Sequence, residues 1–161
     1  MVIRPATAED HAAIHAVVAA AFRQPDEADL VDALRADGDA LVELVAEEDG
    51  QIVGHILFSP LATDTGARFA ALAPLSVTPS RQKDGLGTML MQVSHELLRA
   101  AGVEAVIVLG HPAYYPRVGY TAEAALTVTS PFRGPSFMAL ALTPGALDGS
   151  VTIRYARAFG A

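Results

Sequence analysis

The stretch Gln82-Lys83-Asp84-Gly85-Leu86-Gly87 sets two glycines where an apolar strand gives way to a helix. Glycine weakens a helix, so two of them at its start call for a reason. A helix N-terminus carries unpaired N–H groups and the positive end of the helix dipole, which suits an anion such as a phosphate. Glycine there lets the anion reach the backbone with no β-carbon in the way. From these residues alone a plain glycine turn fits equally well. Other side chains could move protons or hold a cation. Tyr114 and Tyr115 carry phenols, which ionise near ~10 and can donate a proton below that. His55 and His111 bear imidazoles that titrate near neutrality, and a lone histidine is more often structural. Asp26 and Glu27 could recognise an ammonium, although a carboxylate at that place also suits a helix dipole. His11 and His15 are four apart but have no third ligand in view, so no metal site is expected.

The elements that would position these groups can be traced along the chain. "VIRPAT" is a short strand, and Thr7 caps a helix from Ala8 to Phe22 with Asp10 completing a capping box. In "DEADLVDALRADG" the residues Leu30, Val31 and Leu34 share one helix face, and Gly38 ends it. "ALVELVAEEDGQIVGHILFSPL" is a hairpin about Asp49-Gly50. "RFAALAPLSVTP" is a strand interrupted by Pro74, and Gly85 to Ala101 is the glycine-started helix, closed by Gly102. The buried strand "VEAVIVLG" follows, and a strand–helix–strand unit implies parallel pairing. "HPAYYPRVGY" has room for one helical turn at most, and Leu126–Val128, Phe137–Leu142 and Val151–Arg154 are late strands. With no repeat or linker, the expectation is one mixed α/β domain over residues 1–161.

Composition narrows the classes. The chain of 161 residues is 52% hydrophobic and 18% charged, enough for a sizeable core and too apolar for disorder. No apolar run reaches the ~18 residues of a membrane span, and the start lacks the pattern of a signal peptide. There are no cysteines, which removes disulfides, thiolate metal sites and cysteine nucleophiles. A cytoplasmic protein is the expectation, without membrane partners. A formal charge of −7 with no basic cluster argues against nucleic acid and weakly favours a cationic substrate. The oligomeric state stays open, a homodimer included.

Two known phosphate motifs are absent. A dinucleotide fingerprint would need a third glycine where Leu90 stands, and no G-x-x-x-x-G-K-S/T occurs. What "LSVTPSRQKDGLGTML" resembles is the coenzyme A signature of the GNAT superfamily of N-acetyltransferases, Q/R-x-x-G-x-G/A after a strand. "VLGHPAYYPRVGY" is similar to a second hallmark of that family, a tyrosine four residues before a Gly-aromatic pair, here Tyr115 before Gly119-Tyr120. "RQPDEADLVDALR", "GHILFSPL" and "LGHPAYYPRVGY" further resemble its YhbS-like subgroup of predicted acetyltransferases. The likeness covers about residues 3 to 121, with little signal beyond.

The resemblance implies an α/β (α+β) fold: a mixed, mostly antiparallel, twisted sheet, splayed at its central strands, with flanking helices and acetyl-CoA in the gap. Backbone N–H groups of Gln82, Lys83, Asp84, Gly85, Leu86, Gly87 and Thr88 would then form a nest for the pyrophosphate. Leu75 and Val77, on either side of Ser76, would bond the pantetheine arm through their backbone. A bulge near Pro74 would aim an N–H at the thioester carbonyl, with a simple edge proline as the equal competitor. By motif position Tyr115 is the expected general acid, with Tyr114 as its packing neighbour. Amine acceptors would be met by Glu27, with His55 and His111 as further candidates. The motif commonly has glycine where Lys83 stands and a basic or polar residue where Asp84 stands, so Lys83 is expected to offset Asp84. The central strand carries no carboxylate to serve as base. A non-catalytic acyl-CoA sensor of the same fold is therefore the alternative to an acetyl-CoA-dependent N-acetyltransferase acting by direct attack on a primary amine. A structural domain in which "GLG" is only a turn is the other.

Overall fold

Alternating apolar runs and three amphipathic segments resolve into eight strands and three helices in the computed structural model, which describes residues 1–160. The strands are β1 (Val2–Pro5), β2 (Val42–Glu48), β3 (Gln51–Thr63), β4 (Phe69–Val77), β5 (Ala105–Leu109), β6 (Val128–Thr129), β7 (Phe137–Ala141) and β8 (Val151–Arg154). The helices are α1 (His11–Phe22), α2 (Asp26–Ala36) and α3 (Leu86–Ala100). The main sheet runs β1-β2-β3-β4-β5-β7; β8 pairs with the far end of β3, and β6 with β8. Pairing is antiparallel throughout except for β4–β5 and β6–β8. The expected fold class is the one observed, and the β4–α3–β5 unit is parallel as its order requires.

Helices cover both faces. The amphipathic stripe of α3 buries Leu86, Leu90, Met91 and Leu98 against Leu44, Ile56, Phe58 and Leu72. On the other face α1 and α2 bury Ile14, Val18, Val31 and Leu34 over Val45 and Leu57. The Asp49-Gly50 hairpin turn is present with both residues at positive φ, as a two-residue turn demands.

Three boundaries differ from the sequence reading. Ala8–Asp10 is a 3₁₀ turn, and the α-helix begins only at His11. The reason is side-chain capture: the Asp10 carboxylate accepts the Thr7 N–H at 2.8 Å and two guanidinium N–H groups of Arg4 at 2.7 and 2.9 Å. Arg4 holds this carboxyl well below the usual range, and a further bond from Arg4 to Glu47 (3.0 Å) ties the turn to β2. The expected strand Leu126–Val128 is mostly a 3₁₀ turn (Ala124–Thr127), with β6 only two residues long. Finally, β3 runs two residues beyond Leu61, because Ala62 and Thr63 pair with β8.

One polar cluster lies under α2. Glu43 accepts from Arg35 at 2.6 Å and lies 2.7 Å from Nε2 of His55, which is fully buried. Burial opposes the Glu43 charge, but its bonds to His55 and Arg35 outweigh burial and bring the carboxyl down to about 2. A carboxyl so depressed stabilises the fold above its ordinary value of 4.5, and that stability is lost as pH falls toward 2. Glu43→Gln, which removes one member of this buried group, is expected to cost about 3 kcal/mol in a denaturant titration and to flatten the stability curve below pH ~4.5.

Candidate active site

The central strands part where β4 is bulged. Phe69–Leu72 of β4 pair with Ala105–Val108 of β5, and there the parallel ladder stops. On the β3 side Phe58 faces Leu72 and Ile56 faces Leu75, so Ala73 and Pro74 form a bulge, and their peptide is cis. Beyond it β4 continues along β3 while β5 follows β7 through Leu109–Phe137. The divergence opens a cavity of about 640 Å³ lined by Ala73, Pro74, Leu75 and Val77 on one wall and by Ile107 to His111 on the other. Of the two readings of Pro74, the bulge is the one observed.

The rim of this gap carries the glycine segment. Lys83 and Gly85 both adopt left-handed backbone (φ 72° and 79°), and α3 starts directly after them. Lys83 thus takes a conformation that glycine adopts freely. A β-carbon on Gly85 would meet no atom within 4 Å, so the space before the helix is open. One on Gly87 would come to 2.8 Å from the Tyr114 hydroxyl, so this second glycine makes room for a side chain. Tyr114 also lies 3.4 Å from the Thr88 hydroxyl. Gln82 lines the cavity and donates to the Val77 carbonyl at 3.0 Å, closing the turn onto the strand. Leu86 sends its side chain into the core, leaving only its backbone at the rim. Asp84 is compensated differently from expectation: Arg81 bonds it at 3.0 Å and also pairs with Glu48, so Arg81 does the work expected of Lys83.

Tyr115 stands on the opposite wall and is 9% exposed. Burial, with a smaller contribution from Tyr114, pushes its phenol up to about 12. Its ring lies so close over Gly110 that any β-carbon there would collide with it. Tyr114 and Tyr120 pack edge-on at 5.1 and 5.8 Å. Tyr120, the aromatic of the second hallmark, is fully buried, and its hydroxyl lies 2.7 Å from Nε2 of His95 on α3. It anchors the Tyr115–Val118 turn to α3, aided by its own N–H to the Tyr115 carbonyl at 3.2 Å.

Glu27, half-buried on α2 and held by Gln24 at 2.9 Å, lines the same cavity, as does the exposed His111. The structure does not bring His55 to this cavity: strand alternation turns it to the α2 side, where it pairs with Glu43. Ser76 is likewise turned away and buried, so between Leu75 and Val77 it can offer the gap only its backbone. His11 and His15 do not come together as a pair; instead His15 lies 3.2 Å from Asp29 and 3.7 Å from Asp32 on the helix surface, two carboxylates that the sequence reading did not place beside it. The sequence reading missed Phe22, Leu30, Phe132, Tyr155 and Phe159, which line the same cavity as Glu27. Phe132, Tyr155 and Phe159 lie where no recognisable motif stands.

A gap between parted central strands, with an open left-handed turn before a helix at one rim, defines an α/β protein whose backbone geometry there suits an anionic group. The chain belongs to the acetyltransferase (GNAT) family, whose model matches residues 6–120. It is 42% identical over 117 residues to YjhQ of Escherichia coli (strain K12), an uncharacterized N-acetyltransferase; the match covers 69% of this chain and 64% of YjhQ, a little under two thirds of that relative. YhbS of Escherichia coli, solved with CoA, superposes with a TM-score of 0.91 at 31% identity, covering 99% of this chain and 92% of YhbS. A GNAT family acetyltransferase of Brucella melitensis, solved with acetyl-CoA, gives 0.82 at 37% identity, covering 98% and 97%.

The His95–Tyr120 anchor predicts a pH dependence. Burial, then the nearby Arg99 charge, lowers the His95 imidazole from 6.5 to about 4. A group depressed in the folded state contributes stability above pH ~6.5 that is lost as pH falls toward ~4. The melting temperature should therefore fall over this window, and His95→Gln should remove most of the slope between pH 6.5 and 4.5.

Proposed function

We propose that the chain is an acetyl-CoA-dependent N-acetyltransferase that passes an acetyl group to a primary amine by direct attack, with both substrates bound together. The observation that carries this reading is the one cavity shared by the bulged strand, Gln82 at the start of the glycine segment, Tyr115 and Glu27. The CoA and acetyl-CoA complexes of similar chains support it, and a chain without cysteine has no thiol to carry the acyl group. A cytoplasmic setting, where acetyl-CoA is made and used, suits it. No helix among the described residues is long and apolar enough to cross a membrane.

The residues present fit the cofactor. Backbone N–H groups of residues 82–88 at the open turn would hold its pyrophosphate, and the backbone of Leu75 and Val77 would hold its pantetheine arm. Bound there, it supplies an acetyl group activated as a thioester. Tyr115 keeps a proton on its phenol oxygen up to about pH 12 and is the proton donor of the site. Glu27 holds the acceptor's ammonium, and His111 lies at the mouth as a second polar contact. Because β4 carries neither carboxylate nor histidine, a water-mediated base takes the ammonium proton. That missing acid is also what favours the second reading, a non-catalytic acyl-CoA sensor. Release of free thiol from acetyl-CoA with an amine panel separates the two.

Two variants test the roles. Gly85→Ala adds a β-carbon in open space and also strains the turn, since φ there is 79°, so calorimetry with CoA should show weakened binding on a folded protein; unchanged affinity would remove the phosphate cradle. Gly87 is the poorer test, since its substitution disturbs Tyr114. Tyr115→Phe keeps the ring and should retain CoA affinity while kcat drops about 10²-fold, at the lower end of what a general acid contributes. An unchanged kcat would move proton donation to water or His111.

A further inference from the structure

Resting on the N-acetyltransferase reading, we infer that the acceptor is a primary amine carried on an apolar, aromatic-sized body. The cavity that Glu27 lines is also lined by Phe22 and Leu30 from α1 and α2, and by Phe132, Tyr155 and Phe159 from the carboxy-terminal segment. The last three rings form one continuous surface: Phe132 and Tyr155 meet edge-to-face at 5.2 Å and 85°, and Tyr155 and Phe159 at 5.2 Å and 61°. All three are half-buried and line the cavity. Glu27 is the one carboxylate among the cavity's lining residues, and neither lysine nor arginine lines it.

One fixed negative charge beside an aromatic wall matches one ammonium on an apolar body. A ring of the guest would stack edge-on against the wall, and its ammonium would gain from the π-faces as well as from Glu27. A polyamine or an amino sugar matches poorly, because one carboxylate pairs only one of several ammoniums, and the remaining charges or hydroxyls would leave water without an equal partner. Residues past the stretch matched by the family model thus supply three aromatic rings, Phe132, Tyr155 and Phe159, to this lining.

The test compares phenethylamine with spermidine, glucosamine and a lysine-containing peptide as acceptors for the full chain with acetyl-CoA. Phenethylamine should give a kcat/KM at least about 10-fold above the others, the scale on which an apolar pocket discriminates. Phe159→Ala and Tyr155→Ala should raise the phenethylamine KM about 10-fold and leave the acetyl-CoA KM unchanged. Glu27→Gln should do the same. If Phe159→Ala melts, Phe159→Leu keeps the packing and removes the ring. Better turnover of spermidine, glucosamine or the peptide would overturn this inference and leave the acetyltransferase standing. So would an unmoved phenethylamine KM in folded Tyr155 and Phe159 variants. Turnover of no amine by a protein that binds CoA in calorimetry would overturn the acetyltransferase and this inference together.

Discussion

The site depends on the end of one hydrogen-bond ladder. Four residue pairs join β4 to β5, and the bulge at Ala73-Pro74 ends the pairing. Buried backbone groups must find partners, so two parallel strands that separate inside a sheet leave polar backbone that only water or a ligand can satisfy. Each strand leaves with its outer neighbour: β4 stays paired to β3, and β5 to β7. The gap is therefore held open by ladders on both sides and does not rely on a mobile segment. α3, which follows β4 directly in the chain, brings its N-terminus to the rim for the same topological reason.

Around this gap the packing is directed at a few side chains. Gly110 is small because Tyr115 lies on it, and Gly87 is small because Tyr114 does. Tyr120 is buried and bonded to His95, so the turn that carries Tyr115 is fastened to the helix that forms the opposite rim. The Tyr115 phenol is thus fixed by the aromatic neighbours packed around it. The same burial that fixes it raises its pKa, so the phenol stays protonated at neutral pH.

Charge is arranged with comparable economy. The chain carries −7, yet the carboxylate nearest the glycine turn, Asp84, is matched by Arg81, and Glu43 is matched by Arg35 and His55. Glu27 has only the neutral amide of Gln24 as a hydrogen-bond partner among the described residues. Unlike those of Asp84 and Glu43, its charge has no cationic partner among the described residues.

Much of this was legible in the residues. The helix stripe of α3, the Asp49-Gly50 hairpin and the parallel β4–α3–β5 unit follow from local periodicity and turn chemistry, which act over a few residues. The glycine turn and the Tyr115 turn were legible because each is a contiguous motif. Tertiary structure decided what depends on contacts between distant segments. It turned His55 toward Glu43, because strand alternation and the neighbouring helix choose a face. It gave Arg81, not Lys83, the role of balancing Asp84, because Glu48 on β2 holds the guanidinium in place. It also gathered Phe22 and Leu30 with Phe132, Tyr155 and Phe159 from the other end of the chain. No local pattern marks those rings as a set, since their proximity is created by the sheet that folds between them.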